Sequence, residues 1–121
     1  MREFMVPVAA AASPDTSVGE AHRLLREHGT THVPVLEDGL LVGIVSERDL
    51  LRAQSDALPI RDVMTRMVYV LSPETLVSRA ARAFRRHDVP VLPVLAGRAL
   101  VGLVRAIDVL ETAWDHTRGP A

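Results

Sequence analysis

The sequence predicts an α+β protein made of two copies of one unit, each reading strand, helix, strand, strand, helix. Three observations carry this. First, Arg2, Met5, Ser13, Pro14, Thr16, Val18, Ala21, Arg23, Arg26 and His28 recur 59 positions later as Arg61, Met64, Ser72, Pro73, Thr75, Val77, Ala80, Arg82, Arg85 and His87. Pro34-Val35-Leu36 recurs as Pro93-Val94-Leu95, Leu41-Val42-Gly43 as Leu100-Val101-Gly102, and Val45, Asp49 and Leu51 as Val104, Asp108 and Leu110. Self-similarity at a fixed period marks a repeated structural unit. Second, a stripe of apolar residues at helical spacing follows each Ser-Pro turn. Third, two β-prone runs around a short turn follow each stripe.

Each copy opens on a β-prone stretch, Val8 to Ala12 in the first and Met67-Val68-Tyr69-Val70-Leu71 in the second. The alanines make the first the weaker strand former. Ser13-Pro14-Asp15-Thr16 and Ser72-Pro73-Glu74-Thr75 are turns ending in an expected N-cap threonine. A helix follows from about Ser17 to His28, with Val18, Ala21, Leu24 and Leu25 on one face. Val77, Ala80, Ala81 and Phe84 repeat that stripe. Val33 to Leu36 and Leu41 to Val45 then form a hairpin around Glu37-Asp38-Gly39, repeated by Leu92 to Leu95, Ala96-Gly97-Arg98 and Leu100 to Val104. Pro34 and Pro93 lack the N–H of a fully paired ladder and so mark an edge or a strand start. Each copy closes on a helix, from Ser46 or Glu47 to about Ala53 and from Ala106 to about Trp114. Gln54 to Pro59 is a short polar link. The expected division is 1–58 and 59–116, with a frayed tail at 117–121.

Composition narrows the function classes. The chain has 121 residues and a net charge of −1, which gives no overall electrostatic footprint for nucleic acid or an anionic membrane. There is no cysteine, hence no disulfide or thiolate chemistry. The N-terminus lacks a signal-peptide pattern and charges interrupt every apolar run, so a cytoplasmic protein with no membrane span is expected. All 14 basic residues are arginine, which fits GC-rich coding better than phosphate recognition. His28 and His32 lie on different elements, so no metal site is expected. No nucleophile stands beside a base and no Gly-rich phosphate loop occurs, so no catalytic residues and no enzyme activity are expected. Trp114 is expected to pack in the core or at a dimer seam.

The most specific local motif is Gly43-Ile-Val-Ser-Glu-Arg-Asp49, at the junction of a strand and a helix. Two readings stay open. Ser46 at the helix start offers free N–H groups to an anion, and Asp49 one turn on can accept the two hydroxyls of a ribose. Equally, Ser46-x-x-Asp49 fits an N-cap followed by an acidic residue at the positive helix end. The second copy, Gly102-Leu-Val-Arg-Ala-Ile-Asp108, keeps the acid and replaces the cap by Arg105. That favours a role for the acid in binding.

These residues resemble a tandem pair of cystathionine-β-synthase (CBS) domains, a Bateman module, across about residues 1–115. The resemblance rests on Arg-Asp-Val-Met-Thr at 61–65, Ser-Pro-x-Thr at 13–16 and 72–75, apolar-Pro-Val at 33–35 and 92–94, and Gly-x-Val-x-x-x-Asp at 43–49 and 102–108. It implies two β-α-β-β-α repeats packed about a pseudo-twofold axis, with two related clefts that take AMP, ADP, ATP, S-adenosylmethionine, or sometimes NAD or a cyclic dinucleotide. Asp49 and Asp108 would hold ribose. Ser46 and Arg48 would lie at the phosphate or ribose. Backbone at Thr31, His32, Val33 and Pro34, and at Val91, Leu92 and Pro93, would read adenine. Arg105 departs from the family's Ser or Thr, so the second cleft is expected to be altered or empty, or to grip phosphate. No required cofactor is implied. A stand-alone regulatory module is expected, forming a homodimer through the Val18–Leu25 and Leu50–Leu51 helices and their repeats and signalling to an effector protein. The competing reading is a ligand-free structural or dimerisation module.

Overall fold

The computed structural model describes residues 1–66 and 69–118, with side chains described through 112. It contains four α-helices and five β-strands among those residues. They are α1 (Val18–His28), β1 (His32–Glu37), β2 (Leu40–Ser46), α2 (Glu47–Leu51), β3 (Thr65–Arg66), α3 (Val77–His87), β4 (Val91–Ala96), β5 (Ala99–Arg105) and α4 (Ala106–Arg118). The order within each repeat is helix, strand, strand, helix, and the class is α+β as expected. Two compact units emerge, one of residues 8–68, the other of residues 1–7 and 69–121. The expected division at residue 58 follows the repeat in the sequence. The compact units are offset from it by several residues, because the residues ahead of each repeat's opening β-prone stretch, Val6 in the first repeat and Thr65-Arg66 in the second, pair with the other repeat's hairpin.

In the unit of residues 8–68, β1 and β2 form an antiparallel hairpin whose turn is Asp38-Gly39. Both turn residues have positive φ, 52° and 79°, the conformation that matches a two-residue hairpin to strand twist. On the far side of β2, β3 pairs Gly43 with Arg66 and Ile44 with Thr65. On the far side of β1, Ala12 makes one parallel bridge to Val35, Ala12 N donating to Pro34 O and Leu36 N to Ala12 O. The expected strand over 8–12 is thus reduced to one bridge. Alanine has little strand preference, and Pro14 has no N–H to continue a ladder. The core joins Val18, Ala21 and Leu25 of α1 to Val33, Val35, Val45, Leu50 and Ile60.

Helix α1 shows how that unit closes. An α-helix leaves its first four N–H groups without internal partners. Here Val18 N and Gly19 N donate to Leu58 O and Asp56 O of the link, and Glu20 N donates to Ser17 Oγ. The N-cap is therefore Ser17, one residue later than expected. The Thr16 hydroxyl turns back to accept from Ser13 N at 3.0 Å. The polar link is not a free tether: it supplies carbonyls to a helix end.

The other unit repeats the plan. β4 and β5 form the hairpin, Val6 pairs with Leu103 on one side, and Leu71 bridges Val94 on the other. Of the expected strand over 67–71, Leu71 contributes that one bridge, and Met67 and Val68 lie outside the described residues. Ala80, Ala81 and Phe84 of α3, Leu92 and Val94 of β4, Val104 of β5 and Val109 of α4 are among the buried core residues of this unit. No side chain caps α3, since Leu76 stands where Ser17 stands in α1. Thr75 Oγ1 accepts from Ser72 N at 2.9 Å, closing the turn as Thr16 does. Helix α4 runs on to Arg118, beyond the expected fraying point at residue 117. The rest of that tail, 119–121, and the Trp114 side chain lie outside the description.

Candidate functional site

The expected site residues gather at equivalent places in the two units. In the unit of residues 8–68, His32 opens β1 and lies opposite Ser46, the last residue of β2. Alternation along the strand sends Val33 and Val35 into the core and puts His32 and Pro34 on the other face. The motif that begins at Gly43 then turns into α2. Gly43 is needed for packing: a Cβ there would sit 2.7 Å from the carbonyl oxygen of Thr65 on β3. What approaches this glycine is backbone.

Ser46 and Asp49 form a complete capping box. Ser46 Oγ accepts from Asp49 N at 3.1 Å, and Asp49 Oδ2 accepts from Ser46 N at 2.9 Å. Asp49 is only 5% exposed, and its Oδ1 is paired with the guanidinium of Arg52. Glu47 N donates to Thr31 O at 3.0 Å. The N–H groups expected to be free for an anion are thus partly used: Glu47 by Thr31, Asp49 by Ser46. A carboxylate has about four lone-pair sites, so Asp49 keeps acceptor capacity beyond these partners. Arg48 is exposed and forms no ion pair among the described residues.

His32 sits beside this box. Its Nδ1 lies 2.9 Å from Thr31 Oγ1. Burial lowers its pKa below the usual 6.5, and the negative charge of Asp49 offsets part of that shift. Its backbone faces the outer edge of β1. Thr30 Oγ1 donates to His32 O at 3.1 Å and stands 3.4 Å from His32 N. Pro34 O is taken by Ala12. Thr30 and Arg52 are the two residues here that sequence reasoning missed. Arg52 was legible, three positions after an acid on one helix.

The second copy keeps the frame and changes the chemistry. Val91 opens β4 opposite Arg105, Leu92 is in the core, and Pro93 O accepts from Leu71 N at 2.9 Å. Gly102 again makes room for an opening segment, here Met5 and Val6. Arg105 grips Asp108 with two hydrogen bonds, Nε to Oδ2 at 2.8 Å and a terminal nitrogen to Oδ1 at 3.0 Å. Those hydrogen bonds, together with the charge of Asp108, raise the Arg105 pKa further. Val89 stands where Thr30 does, so no hydroxyl covers the Val91 backbone. Asp108 therefore has a partner within the chain, an exposed one.

Among the described residues, no group of three or more His, Asp or Glu side chains is placed to hold a metal ion. No helix there is long and apolar enough to cross a membrane.

A family model described as "CBS domain" matches the chain twice, over residues 1–56 and 60–115. The chain belongs to the CBS-domain family. The CBS domains of a transcriptional regulator from Streptococcus pneumoniae have the same fold, with a TM-score of 0.79 over 90% of this chain and 94% of that one. CBSX2, solved in complex with AMP, is 30% identical, with a TM-score of 0.78 and 96% of both chains covered. The cytosolic domain of the Mg2+ channel MgtE, solved in complex with ATP, is 29% identical, with a TM-score of 0.80 over 90% of this chain and 46% of that one. Among curated relatives, an inosine-5'-monophosphate dehydrogenase of Korarchaeum cryptofilum is 38% identical over 88% of this chain. The chain spans only 22% of the length of that enzyme. The CBS domain-containing protein YhcV of Bacillus subtilis is 25% identical, with 90% of this chain and 81% of that protein covered. In this family setting the two Gly-x-Val-x-x-x-Asp motifs stand at matching strand-to-helix junctions. One is capped by serine and the other closed by arginine.

Proposed function

We propose that this CBS pair is a regulatory module that binds an adenosine-containing ligand, AMP, ADP, ATP or S-adenosylmethionine, at the Thr31–Pro34 and Ser46–Asp49 junction. The observation that carries this reading is the near-complete two-way coverage by CBSX2, a protein solved with AMP, at 30% identity. Asp49 would accept ribose hydroxyls through its remaining lone pairs, Ser46 would contribute its hydroxyl, and Arg48 would meet phosphate as a mobile exposed guanidinium. Binding would favour one arrangement of the chain by differential affinity, and that shift would be the signal. Its receiver would be an effector protein. The module would act from the cytoplasm as a homodimer through helix faces such as the one that leaves Leu51 exposed, and would carry no catalytic activity of its own.

One observation favours the second reading, a ligand-free structural module: Asp49 and Asp108 are both already paired within the chain. Titration calorimetry with AMP, ADP, ATP and S-adenosylmethionine separates the two. Saturable binding that Asp49→Asn weakens at least tenfold supports the sensor. If all four ligands fail to bind at millimolar concentration, the sensor reading is lost and the structural one stands.

A further inference from the structure

The exposed face of α3 carries four arginines and no acid. Arg79, Arg82, Arg85 and Arg86 are all exposed, while Ala80, Ala81, Ala83 and Phe84 are buried. At about 100° per residue the four guanidinium groups fall within one sector of about 120° and along about 10 Å of helix. None of them forms an ion pair among the described residues; the pairs there involve Arg2, Arg52, Arg61 and Arg105. Like charges three and four apart repel, and Arg79 lies in the first turn, where the helix dipole disfavours a cation.

The repeat supplies an internal control. In α1 the corresponding positions are Glu20, Arg23, Arg26 and Glu27, also exposed, and Arg23 there has an acid three residues before it and another four after it. The fold therefore does not need an all-arginine face at these positions. The second copy has one in which Arg79 and Arg82 gain nothing for the helix, while Arg85 and Arg86 in the last turn suit its dipole. Local rules broken without a structural gain point to function.

We propose that this face of α3 docks a short acidic segment of a partner protein, each guanidinium fork meeting a carboxylate as Arg105 meets Asp108 in the same unit. Charge complementarity selects the chemistry and the surroundings select the size. Asp88 ends α3, Glu74 precedes it, and Glu111 is exposed on α4, which packs against it. Glu74 is itself paired with Arg2, and Asp88 beyond the end of the stripe disfavours a long polyanion such as RNA more than a short acidic segment. A second copy of the chain offers no comparable acidic run, since its longest is Glu37-Asp38.

The test uses the full chain and fluorescein-labelled decaglutamate, read by anisotropy at low and high salt. The wild type binds, and affinity falls as salt rises. The double variant Arg79→Glu, Arg86→Glu writes the α1 pattern into α3. Arg79→Glu gains at the positive helix end what Arg86→Glu loses at the negative one, so the melting temperature stays close to that of the wild type while affinity falls at least tenfold, and lost binding cannot be ascribed to unfolding. Equal binding by the variant overturns the proposal. So does tighter binding of a ten-residue oligothymidylate than of decaglutamate, or a wild-type dimer that the variant turns into a monomer.

Discussion

Gly43 lies beneath the Thr65 carbonyl so closely that a Cβ on it would stand 2.7 Å from that oxygen. The repeat places Gly102 in the same relation to Met5 and Val6. There the nearest atom, at 2.8 Å, is the mobile end of the Met5 side chain, and the Val6 oxygen is 3.3 Å away. The two glycines look identical in sequence but meet different obstacles. The closest obstacle is rigid backbone at Gly43 and a flexible thioether methyl at Gly102, with Met64 Sδ next at 3.1 Å in the first and Met5 Cβ at 3.2 Å in the second.

That difference sets the first prediction. Gly43→Ala forces β3 away from β2 and destabilises the chain by about 1–3 kcal/mol, the range for overpacking. Gly102→Ala costs less, because the Met5 methyl can swing aside. Urea denaturation of the two variants measures this. An equal or larger loss at Gly102 would show that the two contacts are equally rigid.

The capping box yields the second. Ser46→Ala removes the acceptor for Asp49 N and lowers stability by about 1 kcal/mol. Ser46→Thr, which keeps the hydroxyl, retains most of it. At the equivalent place, Arg105→Ala breaks an exposed ion pair and leaves the denaturation midpoint unchanged. If Arg105→Ala destabilises as much as Ser46→Ala, the closed second junction carries structural weight that its exposure does not suggest.

Much of this was legible in the sequence because the decisive signals are local. Ser-Pro-x-Thr turns, apolar stripes, Asp38-Gly39 and the two strand prolines each act within a few residues. The exchange of opening segments was not legible. Thr65-Arg66 is a two-residue strand without an apolar pattern, and its partner Ile44 lies far off in sequence. Glycines 43 and 102 were the only trace of it, and a glycine does not say what approaches it. At the site, Ser46-x-x-Asp49 fitted a cap and a ligand site equally well, and the structure forms the cap. The persistence of Asp108 without a serine weighed towards ligand binding. The structure pairs that acid with Arg105, three residues earlier.

The helix ends supply a third prediction. Gly29 follows α1 with φ 60° and Asp88 follows α3 with φ 49°, both left-handed. This conformation costs a residue with a Cβ about 1–2 kcal/mol, though Asp tolerates it better than most. Asp88 also sets a negative charge at the negative end of its helix. Asp88→Gly therefore stabilises the chain by about 0.5–1 kcal/mol. Gly29→Ala destabilises it by about 1 kcal/mol, and on conformational grounds alone, because no atom lies within 4 Å of the added Cβ. Thermal denaturation reads both signs, and a loss on Asp88→Gly would reveal a contact of the Asp88 carboxylate that outweighs its backbone strain.

The last prediction concerns pH. Burial lowers the His32 pKa in the folded chain, against an unfolded value of 6.5, and the nearby Asp49 charge recovers only part of the shift. As pH falls below 6.5 the unfolded chain takes up this proton first. Linkage then makes stability fall with pH over that interval. The contribution is fully present above 6.5 and is lost as pH falls through the depressed folded value, below which both states are protonated and the slope ends. His32→Asn removes the ionisation, so urea denaturation at pH 7.5 and 5.5 should show a smaller difference for the variant than for the wild type. Asp49→Asn acts in the opposite sense. Without the neighbouring charge the imidazole is harder still to protonate, and the His32 resonance followed by NMR should titrate at lower pH than in the wild type. A titration that moves up instead would mean that Asp49 does not face His32 through the box described here.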